Sequence, residues 1–221
     1  MTASAVLPVT VLVVAKAPVP GQAKTRLGAV LGDHTAADIA AAALLDTLDA
    51  VAATPAAARV VALTGDLDRA CRAGEIRSRL ADFTVVEQRG VDFADRLANA
   101  HVDASAAGIG PVLQIGMDTP QVTPELLTMC ARALLGVPVV LGMAADGGWW
   151  ALGVRSPELA DCLHDVPMSR ADTGTVTLAA LRDTGVDVTR LPELHDVDTV
   201  DDVPVVRAAC SPQSRFVAAT A

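Results

Sequence analysis

Residues 9–15, Val-Thr-Val-Leu-Val-Val-Ala, run directly into residues 16–28, Lys-Ala-Pro-Val-Pro-Gly-Gln-Ala-Lys-Thr-Arg-Leu-Gly. A continuous aliphatic, largely β-branched run has no polar face, so it reads as a strand buried on both sides. Two prolines and two glycines in the segment that follows read as a loop. A buried strand feeding a basic loop is the start of an α/β sheet whose ligands gather beyond the carboxyl ends of its strands.

The rest of the chain continues that alternation. Residues 35–53 have helical periodicity, with Ile39, Leu44, Leu45, Leu48 and Val51 as apolar surface. Asp38, Asp46 and Asp49 fall within roughly 80° of one another on that helix. Strands are expected at 59–64, 84–87, 111–116, 138–143, 149–154 and 186–191, and helices at 93–106, 173–184 and 199–209. A further helix should run from Pro124 to about Leu135, with Thr123 as its N-cap. The pattern predicts one three-layer α/β/α domain over residues 1–210 with a mostly parallel twisted sheet, and a disordered tail over 211–221, which has no periodicity.

Composition narrows the function classes. The 221 residues carry a formal net charge of −9, which argues against nucleic acid as a partner. Hydrophobic residues make up 52% but aromatics only 2%, with no Tyr, so the core must be aliphatic. Cys71, Cys130, Cys162 and Cys210 form no C-x-x-C pair, and reduced thiols in a cytoplasmic protein are expected. The run 9–15 is too short to span a bilayer and lacks the basic flank of a signal peptide.

Within this acidic chain no Asp or Glu occurs before Asp33. Lys16, Lys24 and Arg26 therefore form a locally basic loop, suited to phosphate oxygens, in which Gly21 permits close backbone approach. A plain solvated loop is the competing reading. A P-loop is excluded, because Pro18 and Ala23 stand where glycines are required, and no G-x-G-x-x-G follows the strand.

Three carboxylate clusters lie downstream. Asp118 leaves the 111–116 strand at the ligand edge, where it could hold Mg²⁺ or Mn²⁺ or merely cap a turn. Asp196 and Asp198 are two residues apart, so in extended chain both could reach one ion; capping of the last helix is the alternative. Asp146-Gly147-Gly148-Trp149-Trp150 sets an acid beside two glycines and both tryptophans, a pattern for holding a sugar or simply for a β-turn. Arg89, Asp95 and Arg96 could touch a base or phosphate, or lie on an exposed face. His34, His101, His164 and His195 lack metal-ligand spacing.

The segments 15–27, 115–120, 146–154 and 196–203, in this order, resemble an uncharacterised bacterial family of glycosyltransferase-A-like proteins. That family is related to 2-phospho-L-lactate guanylyltransferase and molybdenum cofactor guanylyltransferase. The resemblance runs from about residue 9 to residue 207 and implies a nucleotide-diphospho-sugar transferase fold. It implies that the first loop, at Lys16, Gly21, Lys24 and Arg26, surrounds the nucleotide phosphates, and that Asp118 with Asp198 or Asp196 binds the metal; Ala15, Thr25 and Arg89 are further nucleotide-binding candidates. Asp146, Gly147, Gly148 and Trp149 would face the acceptor. Met117-Asp118-Thr119-Pro120 departs from the family's usual Ser-x-Ser-Pro or Thr-Asp-Ser-Pro, and Trp149-Trp150 from its usual Tyr-Tyr.

The expected function is metal-dependent glycosyl transfer from a nucleotide-sugar to a small-molecule acceptor, with Asp118, Asp146 and Lys24 in the chemistry. Nucleotidyl transfer from a nucleoside triphosphate, and nucleotide binding without catalysis, are the alternatives. No membrane partner is expected, and a homodimer is left open.

Overall fold

The run 9–15 forms the buried centre of β1 (Leu7–Lys16) in the computed structural model, which describes residues 5–221. Its side chains alternate between two layers, as a period of two requires. Val9, Val11 and Val13 enter a core with Leu44, Leu48, Leu127, Leu134 and Trp150, while Leu12 and Val14 enter another with Leu97, Leu152, Leu163 and Leu181.

Six further strands complete one sheet: β2 (Ala56–Thr64), β3 (Thr84–Glu87), β4 (Val112–Gly116), β5 (Val139–Ala144), β6 (Trp149–Val154) and β7 (Val188–Leu194). Their spatial order is β3-β2-β1-β4-β6-β5-β7. All neighbours pair in parallel except those of β6, which runs against both β4 and β5. Val13 lies opposite Val61 on one side and Ile115 on the other.

The helices are α1 (Thr25–Leu31), α2 (Asp33–Ala53), α3 (Ala73–Leu80), α4 (Phe93–Ala107), α5 (Pro124–Gly136), α6 (Thr173–Asp183), α7 (Asp202–Ala209) and α8 (Arg215–Ala219). Helices α2, α3 and α5 cover one face of the sheet; α4, α6 and a 3-10 stretch at Pro157–Asp165 cover the other. α2 is buried nearly all round, because Ile39 and Ala43 also meet Leu27, Val206 and Phe216 in a third cluster. Its many alanines let these elements approach closely, which is how a chain almost without aromatics builds its core. Thr123 caps α5 as expected, its side chain accepting the Leu126 N–H. The four cysteines are free thiols, and burial pushes Cys130 up to about 12.

Two expectations are corrected, and one helix has no counterpart in the sequence reading. The loop read over 16–28 ends sooner, because α1 begins at Thr25. The short helix α3 lies in a stretch with no clear periodicity signal. The segment from Ser211, read as a frayed tail, instead ends in α8, whose Phe216 is fully buried. The acids of α2 explain this docking. Asp46 accepts the backbone N–H groups of Arg215 and Phe216 at 3.1 and 2.8 Å, and the Arg215 guanidinium binds Asp46 and Asp49 at 3.2 and 2.6 Å. Arg72 likewise forks onto Asp38 at 2.7 and 2.6 Å, which holds that carboxyl below its ordinary range.

Candidate nucleotide and metal site

The carboxyl edge of the sheet collects the sequence-predicted residues. β1 delivers Lys16 and the loop to Lys24; β4 delivers Met117 and Asp118; β7 delivers the stretch through Asp198. Because β6 is reversed, the turn between β5 and β6 also returns to this edge, and brings Asp146 with it.

Lys24 occupies the centre. It stands just before α1 in the left-handed backbone region, with φ 48°. Its ammonium donates to Asp118 Oδ2 at 2.7 Å and lies 4.0 Å from Asp198 Oδ1, with the side chain only 14% exposed. Burial alone would lower its pKa, but Asp118, Asp198 and Asp196 together raise it above the ordinary lysine value. Arg26 donates to the other Asp198 oxygen at 2.7 Å. The loop is further set by Lys16, whose side chain donates to the Gln22 carbonyl at 2.8 Å and whose N–H meets the Met117 sulfur at 3.1 Å. Gly21 takes φ 74°, a conformation that favours glycine.

Asp196 is the acid under most electrostatic pressure. Burial and then the charges of Asp118 and Asp146 push it up to about 6, against the opposing pull of Lys24. The segment is stitched to β4 by the Val197 N–H, which donates to the Asp118 carbonyl at 3.1 Å. Asp202 fixes Asp198 from below, accepting from the Asp198 and Thr199 N–H groups at 3.0 and 2.6 Å and from the Thr199 hydroxyl at 2.9 Å. The sequence offered capping of the last helix by Asp198 or Thr199 as the alternative to metal binding. The capping runs the other way, and the spacing of Asp202 four residues past Asp198 was its available signal.

Asp146 accepts the Gly148 N–H at 2.7 Å, closing the turn. Gly147 has φ 91°, and a Cβ there would lie 1.8 Å from the Ala171 carbonyl oxygen, so no other residue fits. The tryptophans divide between the faces. Trp150 is buried, its indole N–H bonded to the Pro192 carbonyl at 2.9 Å, while Trp149 is half-buried against the α4–α6 side. Arg89 is not brought into the cluster; it forks onto Asp103 of α4 at 2.9 to 3.1 Å.

Among the described residues no three His, Cys, Asp or Glu side chains form a ready metal cage. The donor set nonetheless suits a hard divalent cation that takes one or two carboxylates and completes its shell with phosphate and water oxygens. The reach of a single ammonium to both Asp118 and Asp198 brings these two within range of one cationic centre.

The mixed seven-stranded sheet, covered on both faces and with its charged groups at the carboxyl edge, defines the nucleotide-diphospho-sugar transferase class of fold. It aligns with a protein from Desulfovibrio desulfuricans provisionally named a nucleotide-diphospho-sugar transferase, at TM-score 0.83 and 27% identity over 96% of this chain and 94% of that one. The chain belongs to the family described as "Uncharacterized protein conserved in bacteria (DUF2064)", whose model matches residues 47–170. Two more distant structures share the fold. The manganese complex of the Rv0371c protein of Mycobacterium tuberculosis aligns at TM-score 0.55 and 20% identity, over 90% of this chain and 97% of that one. A nucleotidyl transferase from Methanothermobacter thermautotrophicus aligns at TM-score 0.57 and 19% identity, over 95% and 98%. No curated protein sequence matches. Among the described residues no helix is long and apolar enough to cross a membrane.

Proposed function

We propose that this chain is a metal-dependent glycosyltransferase that takes a sugar from a nucleotide-sugar and passes it to a hydroxyl of a small acceptor. The observation that carries this reading is the meeting of Lys24 with Asp118 and Asp198: a cation from the first loop and acids from the sheet edge share one centre. Lys16, Lys24 and Arg26 would bind the diphosphate, with the loop backbone from Ala15 through Gly21 to Thr25 around it. Asp118 with Asp198, and Asp196 as a third acid, would hold Mg²⁺ or Mn²⁺. When bound, such an ion neutralises charge on phosphate oxygens.

Once the diphosphate takes over the ion pairs of Lys24 and Arg26, their charge stabilises the departing nucleoside diphosphate. Asp146, fixed by its turn, would orient the acceptor hydroxyl beside Gly147 and Gly148. A cytoplasmic location fits a soluble donor.

The same centre would serve nucleotidyl transfer, in which an acceptor phosphate attacks the α-phosphate of a nucleoside triphosphate. The similarity to a nucleotidyl transferase fold favours keeping this second reading. Incubation with Mn²⁺ and panels of nucleotide-sugars and nucleoside triphosphates separates the two. Free nucleoside diphosphate is the expected product; pyrophosphate would replace the first reading with the second. Tight nucleotide binding that survives chelator, with no turnover of any donor, would overturn both.

A further inference from the structure

The loop between the 3-10 stretch and α6 serves two places. Met168 and Ser169 line a cavity of about 440 Å³ beside the start of α4. Two residues on, the Ala171 carbonyl lies against Gly147, and the Gly174 N–H donates to the Gly147 carbonyl at 2.8 Å. Two residues of chain span at most about 7 Å, so the Ser169 edge of the cavity lies close to the Asp146 turn, although no residue of that turn lines it.

The wall chemistry is selective. Phe93, 48% exposed, offers an aromatic surface. His164 lines the cavity with its Nδ1 2.7 Å from Asp95 Oδ1. Asp95 in turn accepts the Val91 N–H at 3.1 Å. A carboxylate only accepts, so Nδ1 carries the proton of this pair and Nε2 is the ring nitrogen left for a ligand. The other polar lining side chains include Asp92 and Asp165, and no Lys or Arg lines the cavity. Of the neighbouring cations, Arg170 is paired with Asp172 at 3.0 Å and Arg89 with Asp103, while Arg96 of α4 does not line the cavity. A phosphate here would face two carboxylates with no cation to meet it, whereas hydroxyls could bond to His164 and Asp92 with a C–H face on Phe93.

We propose that this cavity is the acceptor subsite and that it takes an uncharged, hydroxyl-rich molecule of the simple glycoside type. The proposal rests on the donor-site reading above and selects glycosyl over nucleotidyl transfer, since the latter needs an acceptor phosphate. His164 binds the acceptor through Nε2, and Asp95 positions His164.

The test is NMR of the full chain with ¹³C-methyl methionine. Met168 reports the cavity and Met117 the donor site; each signal is assigned by its Leu variant. Methyl β-glucoside should move the Met168 signal saturably, and glucose 6-phosphate should need at least tenfold more for the same shift. His164→Gln should raise the glucoside half-saturation at least fivefold, with circular dichroism and the Met117 response to nucleotide and Mn²⁺ unchanged. Equal or tighter binding of the phosphate, or no Met168 shift from the glucoside up to its solubility limit, overturns the proposal. A Met117 signal that ignores nucleotide and Mn²⁺ overturns the donor-site reading instead.

Discussion

At the scale of single residues, Lys24 decides most. Its ammonium is held by two carboxylates in the loop proposed to bind phosphate, so its loss should weaken the donor more than the fold. Lys24→Ala should raise the nucleotide dissociation constant tenfold or more, equivalent to about 1.5–3 kcal/mol for a charged hydrogen bond. Asp118→Asn should abolish Mn²⁺-dependent turnover. Calorimetry checks the first and a product assay the second; an unchanged dissociation constant or rate removes that residue from the site. Asp196 gives a pH signature. Its folded pKa, about 6, lies above the ordinary 3.8, so ionisation costs stability as pH rises through that window, and the cost vanishes below about 4. Asp196→Asn should therefore stabilise the protein at pH 8 by about 1 kcal/mol, after discounting for partial exposure, and have little effect at pH 4. Thermal melts at the two pH values decide it; equal effects at both would refute the coupling.

At the scale of elements, the acids of α2 have a purpose that periodicity alone could not supply. Asp38, Asp46 and Asp49 lie on one side of the helix as expected, but they face Arg72, Arg79 and Arg215 from α8 and the α3 region, not open solvent. The sequence reading missed α8 because five residues make too short a window for a 3.6-residue period, and its stability comes from contacts more than 165 residues away in sequence. Phe216→Ala should cost about 3–5 kcal/mol, the usual penalty for emptying a buried aromatic site. A urea titration measures it; a loss below about 1 kcal/mol would mean that α8 is only loosely docked. The strands were legible because β1, β4, β5 and β6 are apolar runs of the right length. The sequence singled out Lys24, Asp118 and Asp198, which the structure brings together; Lys24 follows a proline-glycine turn and Asp118 a strand end. The roles of Asp202 and Met117, and the pairing of Asp95 with His164, were not legible, because these contacts are made only in the folded chain.

At the scale of the whole molecule, one buried group links acidity to global stability. His101 of α4 is fully buried, with neither ring nitrogen hydrogen-bonded, and burial lowers its pKa from 6.5 to about 3. The folded state keeps it neutral while the unfolded chain protonates below about 6.5. Its share of stability is therefore complete above that pH and is lost progressively as pH falls toward 3, by at most roughly 5 kcal/mol. His101→Leu should flatten the denaturation free energy between pH 6.5 and 4 relative to the parent chain. Parallel slopes for the two proteins would show that other groups govern acid unfolding.

The reversed strand β6 also sets how the two sides of the site can move. The Asp146 turn is clamped between β5 and β6, which are themselves paired to β7 and β4. The 18–23 stretch is pinned at Pro18 by the Cys71 N–H at 3.0 Å and closed by its own turn, but Gly21 and Gln22 at its tip are open to solvent. One jaw is therefore stiff and the other compliant. Deuterium should enter the backbone at Gly21 well before it enters Met143 and Ala151, and an added nucleotide should slow uptake in the compliant jaw alone.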